Sequence, residues 1–462
     1  MTHIISHFII NPCSPGFQWT GVTRYHPITT ALCYNTCRMK KPFDDLSDRI
    51  LYALRVVILN HNYARDLKRI RKTVARRKLR VAFLVSEVAK WKAQGIFDLM
   101  AESDLFEPFI ATMELTRNWK LPIPQLKQMQ AAKVEYFRSR GMKAVDIWKY
   151  GTKDTISAAQ LDADIVFYQQ PWDLPNRMKP LALSRRSLTF YFPYSTPNRW
   201  LPSLDLGHKL HHFLYGYIVI NEELAALYER MKKDYGGAAT FSSQLLPFGH
   251  PALDGIPFDD DSNDAGRCVI YAPHWSIQYG GLNPPLKYAT FLENGRAILE
   301  FAKAHREVKW AFKPHPDLMQ TLVRQGAWTQ EEVDDYCRQW QEIGEACYDA
   351  EDSYRKLVAR SRALITDCGS FLSEYGCTGK PIIRLICRNL NVEPHPAVKA
   401  LYAQYYNVRN LDEMYAAFET VILSNRDPKR DDRRRELVQA NLAGHNVARR
   451  IYDYLCDLVK PK

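Results

Sequence analysis

Three short polar clusters in the second half of the chain carry residue types suited to phosphate chemistry. They are Tyr271-Ala-Pro-His-Trp275, Lys313-Pro-His-Pro316 and Thr366-Asp-Cys-Gly-Ser370, the last leading into Phe371-Leu-Ser-Glu-Tyr375. Each follows an apolar run that reads as a β-strand. Lys313 and His315 sit between prolines, whose fixed φ stiffens the turn and orients both side chains. A cation and an imidazole placed there can neutralise a diphosphate. Near Gly369 a strand gives way to a helix, leaving free N–H groups and the positive end of the helix dipole. Gly369 permits close approach, Ser370 offers a hydroxyl, and Glu374 lies one turn further on, within reach of ribose hydroxyls. Thr366 and Asp367 close the preceding strand, while His274 and Trp275 supply a wall for a base or substrate. Taken singly, these clusters also read as a surface turn, an ordinary capped helix and a core tryptophan. Their shared position is the stronger signal, because ligands of doubly wound sheets sit outside the carboxyl ends of the strands.

An alcohol is a poor nucleophile near neutral pH, so a group transfer to a hydroxyl needs a base. His250, in Phe248-Gly-His-Pro-Ala-Leu-Asp254, is the preferred candidate, and its Gly-Pro turn is expected to shape a hinge or cleft rim. Tyr194 is a second, although a strongly lowered pKa would be required of it, so acceptor binding is its alternative role. His208, His211 and His212 in LGHKLHHF form a third group; it lacks the zincin glutamate and reads as a packed or exposed cluster rather than a metal site. Cys33 and Cys37 have no second zinc half-site beside them. The ten cysteines are scattered, as reduced thiols of a cytosolic protein would be. No metal and no cofactor is expected.

The elements that must position these residues follow α/β grammar. From Arg80, apolar runs at Val81, Phe106, Lys143, Ala163, Leu188 and Tyr215 alternate with amphipathic stretches such as Ile96–Ser103 and Pro124–Arg140. The grammar restarts after the Gly- and Asp-rich stretch 259–266, read as an interdomain linker. Strands RCVIYAPHW, VKWAFKPHP, ALITDCGS and PIIRLIC then alternate with helices Phe291–His305, Thr329–Ile343, Ser353–Arg362 and SFLSEYGCTG. The tail from Leu411 is helical and is expected to cross back onto the first domain. The expected fold is α/β and GT-B-like, two doubly wound Rossmann-like domains facing a central cleft. Its divisions are an N-terminal extension 1–38, a basic amphipathic helical segment 39–79, an acceptor domain 80–242, a nucleotide-donor domain 243–430 and a C-terminal helix 431–462. Residues before Met39 are mixed in character, and Met39 is expected to be the native start.

Lys and Arg (63) outnumber Asp and Glu (51), so the potential favours anionic partners. The basic residues concentrate before Val81, in RDLKRIRKTVARRKLR, where Leu67, Ile70, Val74 and Leu79 keep near-helical spacing. With the preceding LYALRVVILNHNY, residues 55–80 read as a surface for an anionic membrane or as a solvated helix leading into the first strand. No apolar run reaches the ~20 residues of a membrane-spanning helix. The expected location is cytoplasmic, peripheral on the inner face of the cell membrane. No aromatic-rich RNA-binding signature, zinc finger or P-loop is present, and nucleic acid is not an expected partner.

The order of Gly249-x-Pro251-x-x-Asp254, Ala272-Pro273-x-Trp275, Lys313-Pro-His-Pro316 and Thr366-Asp367-x-x-Ser370 resembles the C-terminal half of the CDP-glycerol glycerophosphotransferases, which build teichoic-acid-type polymers. The resemblance spans roughly 243–422. It implies a GT-B fold whose C-terminal domain binds CDP-glycerol and whose N-terminal domain presents a polymer or lipid-linked acceptor. His315 then corresponds to the family's diphosphate-contacting histidine. The family's H-G-T-P motif has its nearest counterpart in Tyr194-Ser-Thr-Pro197, with Tyr in place of His. His274 stands where the family has Thr, Ser276 where it usually has Arg, and Gly369 where it has Ser. The expected activity is transfer of glycerol phosphate from CDP-glycerol. The alternatives are a GT-B glycosyltransferase using a nucleotide sugar in capsule or lipopolysaccharide synthesis, and a non-catalytic anion- or nucleic-acid-binding protein.

Overall fold

The computed structural model describes residues 46–196, 209–234, 241–256, 268–277, 288–346, 356–388, 394–440, 442 and 446–461. The extension 1–38, Met39, the stretch 259–266, Pro197 and His208 lie outside them. So does the side chain of Ser370.

The apolar runs form two all-parallel sheets. The first holds β1 (Leu79–Val85), β2 (Phe106–Thr112), β3 (Ala144–Asp146), β4 (Ile165–Tyr168), β5 (Leu188–Tyr191), β6 (Gly216–Ile218) and β7 (Gln244–Leu246), in the order β3-β2-β1-β4-β5-β6-β7. The second holds β8 (Cys268–Ala272), β9 (Lys309–Phe312), β10 (Gly344–Ala346), β11 (Ser361–Thr366), β12 (Ile382–Leu385) and β13 (Tyr406–Val408), in the order β10-β9-β8-β11-β12-β13. Both orders reverse direction once, between β1 and β4 and between β8 and β11. Parallel strands need crossovers that cover both faces, which is why β1, β4, β5 and β8 are buried along nearly their whole length. The reversal opens a crevice at the strand ends of each sheet.

β7 pairs with β6, so the first sheet extends beyond residue 243. The strands β10 and β13 have too few residues to announce themselves in sequence. Most instructive is the basic segment, which is a helix over Leu46–Thr73. Its buried side, Tyr52, Val56, Leu59, Tyr63 and Ile70, packs on the first sheet. Tyr63 Oη lies 2.6 Å from Thr189 Oγ1 and donates to the Phe213 carbonyl at 2.7 Å. Several basic residues are anchors rather than a free cationic field. Arg69 and Arg77 converge on the buried Asp164 at 2.7 and 2.8 Å. Arg65 and Arg69 also hold the carbonyls of Arg185 and Arg186, each at 2.6 Å.

The C-terminal helix Val447–Val459 returns to the first domain. Arg71 Nε donates to the Leu458 carbonyl at 3.0 Å, and the helix's apolar side joins the core around Phe83 and Phe97. Its entry is fixed by Asp254, whose carboxylate accepts from the Val447 and Ala448 N–H groups at 2.8 and 2.6 Å. Those N–H groups lack intrahelical partners, and a carboxylate also complements the dipole. Close by, Gly249 has φ +107° and Val447 leaves no room for a Cβ. The Gly249–Asp254 turn is therefore shaped by the returning helix.

Candidate functional site

The three clusters meet at the crevice of the second sheet. β8 is central, with β9 on one side and β11 on the other, so the segments after all three strands converge. One pocket is lined by Ala272, Pro273, Lys313, Pro314, His315, Pro316, Cys368 and Phe371. The Pro-flanked pair and the start of the helix Gly369–Gly376 thus share a single cavity, separated by the end of β8.

Backbone bonds explain the convergence. Lys313 N donates to the Tyr271 carbonyl at 2.8 Å and His315 N to the Pro273 carbonyl at 3.0 Å, zipping the two loops together beyond the sheet. The prolines contribute no donors, so the strand pairing ends there and the loop turns outward. Thr366 and Asp367 serve this architecture. Thr366 Oγ1 donates to the Ala272 carbonyl at 2.5 Å and accepts from Cys368 N at 2.9 Å. Asp367 Oδ1 accepts from His274 N at 2.6 Å, and its Oδ2 accepts from Thr290 N and Oγ1 at 2.6 and 2.9 Å. Burial raises the Asp367 pKa to about 6 against the pull of these donors. The sequence places both among the substrate-binding residues; in the structure their side-chain oxygens are bonded to the loops.

His274 and His315 present two imidazoles side by side, with ring centroids 5.4 Å apart. His315 Nδ1 accepts from Asp317 N at 3.2 Å, and His274 Nδ1 accepts from Ser276 N at 3.2 Å with Ser276 Oγ at 2.8 Å. Both rings therefore carry the proton on Nε2 when neutral. Burial lowers the His315 pKa to about 4, Asp317 opposing and Lys313 assisting. It is a neutral hydrogen-bond donor at pH 7. Lys313 is buried, and Trp275 borders both imidazoles at 5.6 and 6.1 Å. The helix from Gly369 begins at Cys368, whose side chain makes no cap, and its positive dipole end borders the pocket. Glu374 is buried on that helix and close to Cys377. Lys313, the two imidazoles and the helix start can hold the charge of a phosphate or diphosphate.

Arg384 was not singled out from the sequence. It sits beside Thr366 in the β11–β12 register, its guanidinium 5.4 Å from the centre of the Tyr402 ring and 3.4 Å from Asn407 Oδ1. Burial lowers its pKa, with Tyr402, Tyr405 and Tyr288 opposing, and among the described residues it has no carboxylate partner. The available signal was an arginine interrupting the apolar run PIIRLIC.

His250 and Tyr194 lie apart from these clusters in the chain, at the strand ends of the first sheet. His250 is buried and its Nδ1 accepts from Ala252 N at 3.1 Å, so its proton is on Nε2. Burial and then Lys92 push its pKa to about 3, while the nearby Pro193 and Ser195 carbonyls pull it up. That ring is neutral but a feeble proton acceptor. Tyr194 stands edge-to-face with Trp172 at 5.8 Å, and the Lys90 ammonium lies 4.9 Å over its ring. His211 stacks between Tyr191 and Tyr217, and His212 Nδ1 lies 2.5 Å from Tyr52 Oη. These two are packing residues, and among the described residues no cluster suits a metal.

No family model and no curated protein matches the sequence. Solved structures do match the fold. Two structures of variants of the wall teichoic acid polymerase TagF align with TM-scores of 0.50 and 0.51, at 11% and 12% identity, each over 89% of this chain and 98% of the other. A UDP-N-acetylglucosamine 2-epimerase structure from Listeria monocytogenes aligns with a TM-score of 0.50 at 12% identity, over 82% of this chain and 96% of that one. With two doubly wound sheets of matching order, the chain has the GT-B fold of two Rossmann-like domains.

Proposed function

We infer that the chain is a GT-B transferase that moves glycerol phosphate from CDP-glycerol to a hydroxyl of a cell-surface polymer or lipid-linked acceptor. The observation that carries this reading is the pocket shared by Lys313, His315 and the start of the helix at Gly369. In the proposed reaction the acceptor oxygen attacks the β-phosphorus of CDP-glycerol. The bond from that phosphorus to the bridging oxygen breaks, CMP leaves, and the hydroxyl proton passes to a base or to solvent. Lys313, the Nε2–H groups of His315 and His274, and the helix N–H groups would hold the charge that gathers on the departing phosphate. Such groups act chiefly by position and electrostatics.

A nucleotide sugar as donor is the second reading, favoured by Tyr194 in the place of the family's histidine. A donor panel decides: CMP release from CDP-glycerol supports the first, whereas turnover only with UDP-, GDP- or CMP-sugars supports the second. Binding of none of them by the intact protein removes both.

The exposed side of the N-terminal helix supports peripheral attachment to an anionic membrane. Ile50, Leu51, Leu54, Val57 and Ile58 form an exposed apolar stripe, followed by exposed Lys68, Lys72 and Arg76. Among the described residues no helix is long and apolar enough to cross a membrane. Sedimentation with phosphatidylglycerol vesicles should fall when Leu54 and Val57 are changed to Ser; equal sedimentation of both proteins would reject the attachment.

A further inference from the structure

The first sheet has its own crevice, and its polar residues are not explained by packing. Gln169 follows β4 and is 4% exposed, yet neither its amide nitrogen nor its oxygen has a partner. Thr196, after β5, is 1% exposed with an unpartnered hydroxyl. His250, after β7, is 2% exposed, and its Nε2–H faces the Pro193 and Ser195 carbonyls. Buried polar groups without partners are uncommon, because each costs the free energy of its lost hydration. Gln169 and Thr196, two of them at the carboxyl ends of neighbouring strands in one sheet, mark a place where a ligand supplies the partners.

Their juxtaposition is fixed by the chain. Phe192 N donates to the Tyr168 carbonyl at 3.3 Å, which sets Gln169 beside the segment entering Pro193. The carbonyls of Pro193 and Ser195 lie next to the His250 ring, and Thr196 is the following residue. The same segment carries Tyr194, edge-to-face with Trp172.

We propose that these strand ends form a subsite for a neutral sugar ring at the acceptor's growing end, bound by Gln169, Thr196 and His250 against the Trp172–Tyr194 pair. This rests on the transferase reading above and deepens it by naming the acceptor group. An amide, a hydroxyl and a neutral imidazole donate and accept without charge, which matches hydroxyls better than phosphate. Aromatic rings suit the C–H side of a pyranose, and here Lys90 lies over one face of each, 5.6 Å from the centre of Trp172 and 4.9 Å from that of Tyr194, leaving the other faces to a sugar. Lys92 lies near the His250 ring, and two other cations at the rim are paired. Glu87 holds Lys90 at 2.8 Å and Arg117 at 3.2 Å, and Arg117 also reaches Asp173 at 3.5 Å.

The test uses the full-length protein and saturation-transfer NMR with methyl β-glucoside, methyl β-galactoside, methyl N-acetyl-β-glucosaminide and sn-glycerol 3-phosphate. At least one glycoside should bind, and Gln169→Leu, Thr196→Val and Trp172→Ala should each weaken it about fivefold or more. CDP and UDP affinity and the melting temperature serve as controls for folding in each variant. Glycoside binding that all three variants leave unchanged overturns the subsite, as does binding of glycerol 3-phosphate alone or of no probe while CDP or UDP still binds. Glycoside binding lost in the variants but unaccompanied by any nucleotide binding would keep the subsite and remove the transferase reading.

Discussion

Asp367 Oδ1 accepts the backbone N–H of His274 across the top of the second sheet, at 2.6 Å. The same carboxylate takes both donors of Thr290, so one buried side chain ties the ends of β11 and β8 to the start of the helix Phe291–Ala304. Removing it leaves three donors unpartnered in a buried place. Asp367→Ala should cost about 2–4 kcal/mol in urea unfolding and weaken nucleotide binding through displacement of His274. Unchanged stability would show that the loops are held elsewhere.

Acid should destabilise the protein between pH 6.5 and 4. His250, His315 and His395 have pKa values lowered by burial to about 3, 4 and 3. Below pH 6.5 the unfolded chain binds protons at these sites that the folded one refuses, so stability is full above that value and lost as pH falls. Asp367 works in the opposite direction, because its raised pKa lets the folded state keep a proton up to about 6. At pH 5 the balance is an uptake of roughly two protons on unfolding, or ~2.7 kcal/mol per pH unit. Denaturant titrations across this range check the slope, and His395→Phe should reduce it by about one proton.

The architecture was legible because parallel strands buried on both faces leave continuous apolar runs, and because loop clusters such as Lys313–Pro316 end them abruptly. Convergence of those clusters followed from α/β topology. What stayed hidden were bonds between distant segments. Nothing near Asp367 in sequence reveals that Thr290 will occupy its second oxygen, and nothing near Arg65, Arg69 or Arg77 reveals Asp164 and the carbonyls of the first domain that they hold. Charge in a sequence window reports a solvated face or an anchor equally well. Gln169 and Thr196 were invisible for the same reason, since an unpartnered buried amide is defined by its neighbours.

Arg384 should report on anion binding. Its guanidinium is half-buried beside Tyr402, and among the described residues it has no carboxylate partner. Arg384→Met should lower CDP affinity about tenfold while leaving the melting temperature level or higher, because the desolvation cost of the guanidinium disappears with its partner. A lower melting temperature with unaltered affinity would make Arg384 a structural residue.

The returning C-terminal helix should govern the turn that bears His250. Gly249→Ala places a Cβ against Val447 at a φ of +107°. Asp254→Ala removes the acceptor for two helix N–H groups. Each change should cost about 1–2 kcal/mol, and combined they should cost less than their sum, since both release the same helix end. Strict additivity in unfolding measurements would show the two contacts to be independent.

Calorimetric titration of CDP-glycerol into the intact protein and into Lys313→Ala and His315→Ala tests the central claim most directly. The account predicts binding by the native chain, a loss of about tenfold or more in each variant, and unchanged melting temperatures. Equal affinity in all three proteins would place the diphosphate elsewhere and contradict the assignment of this pocket.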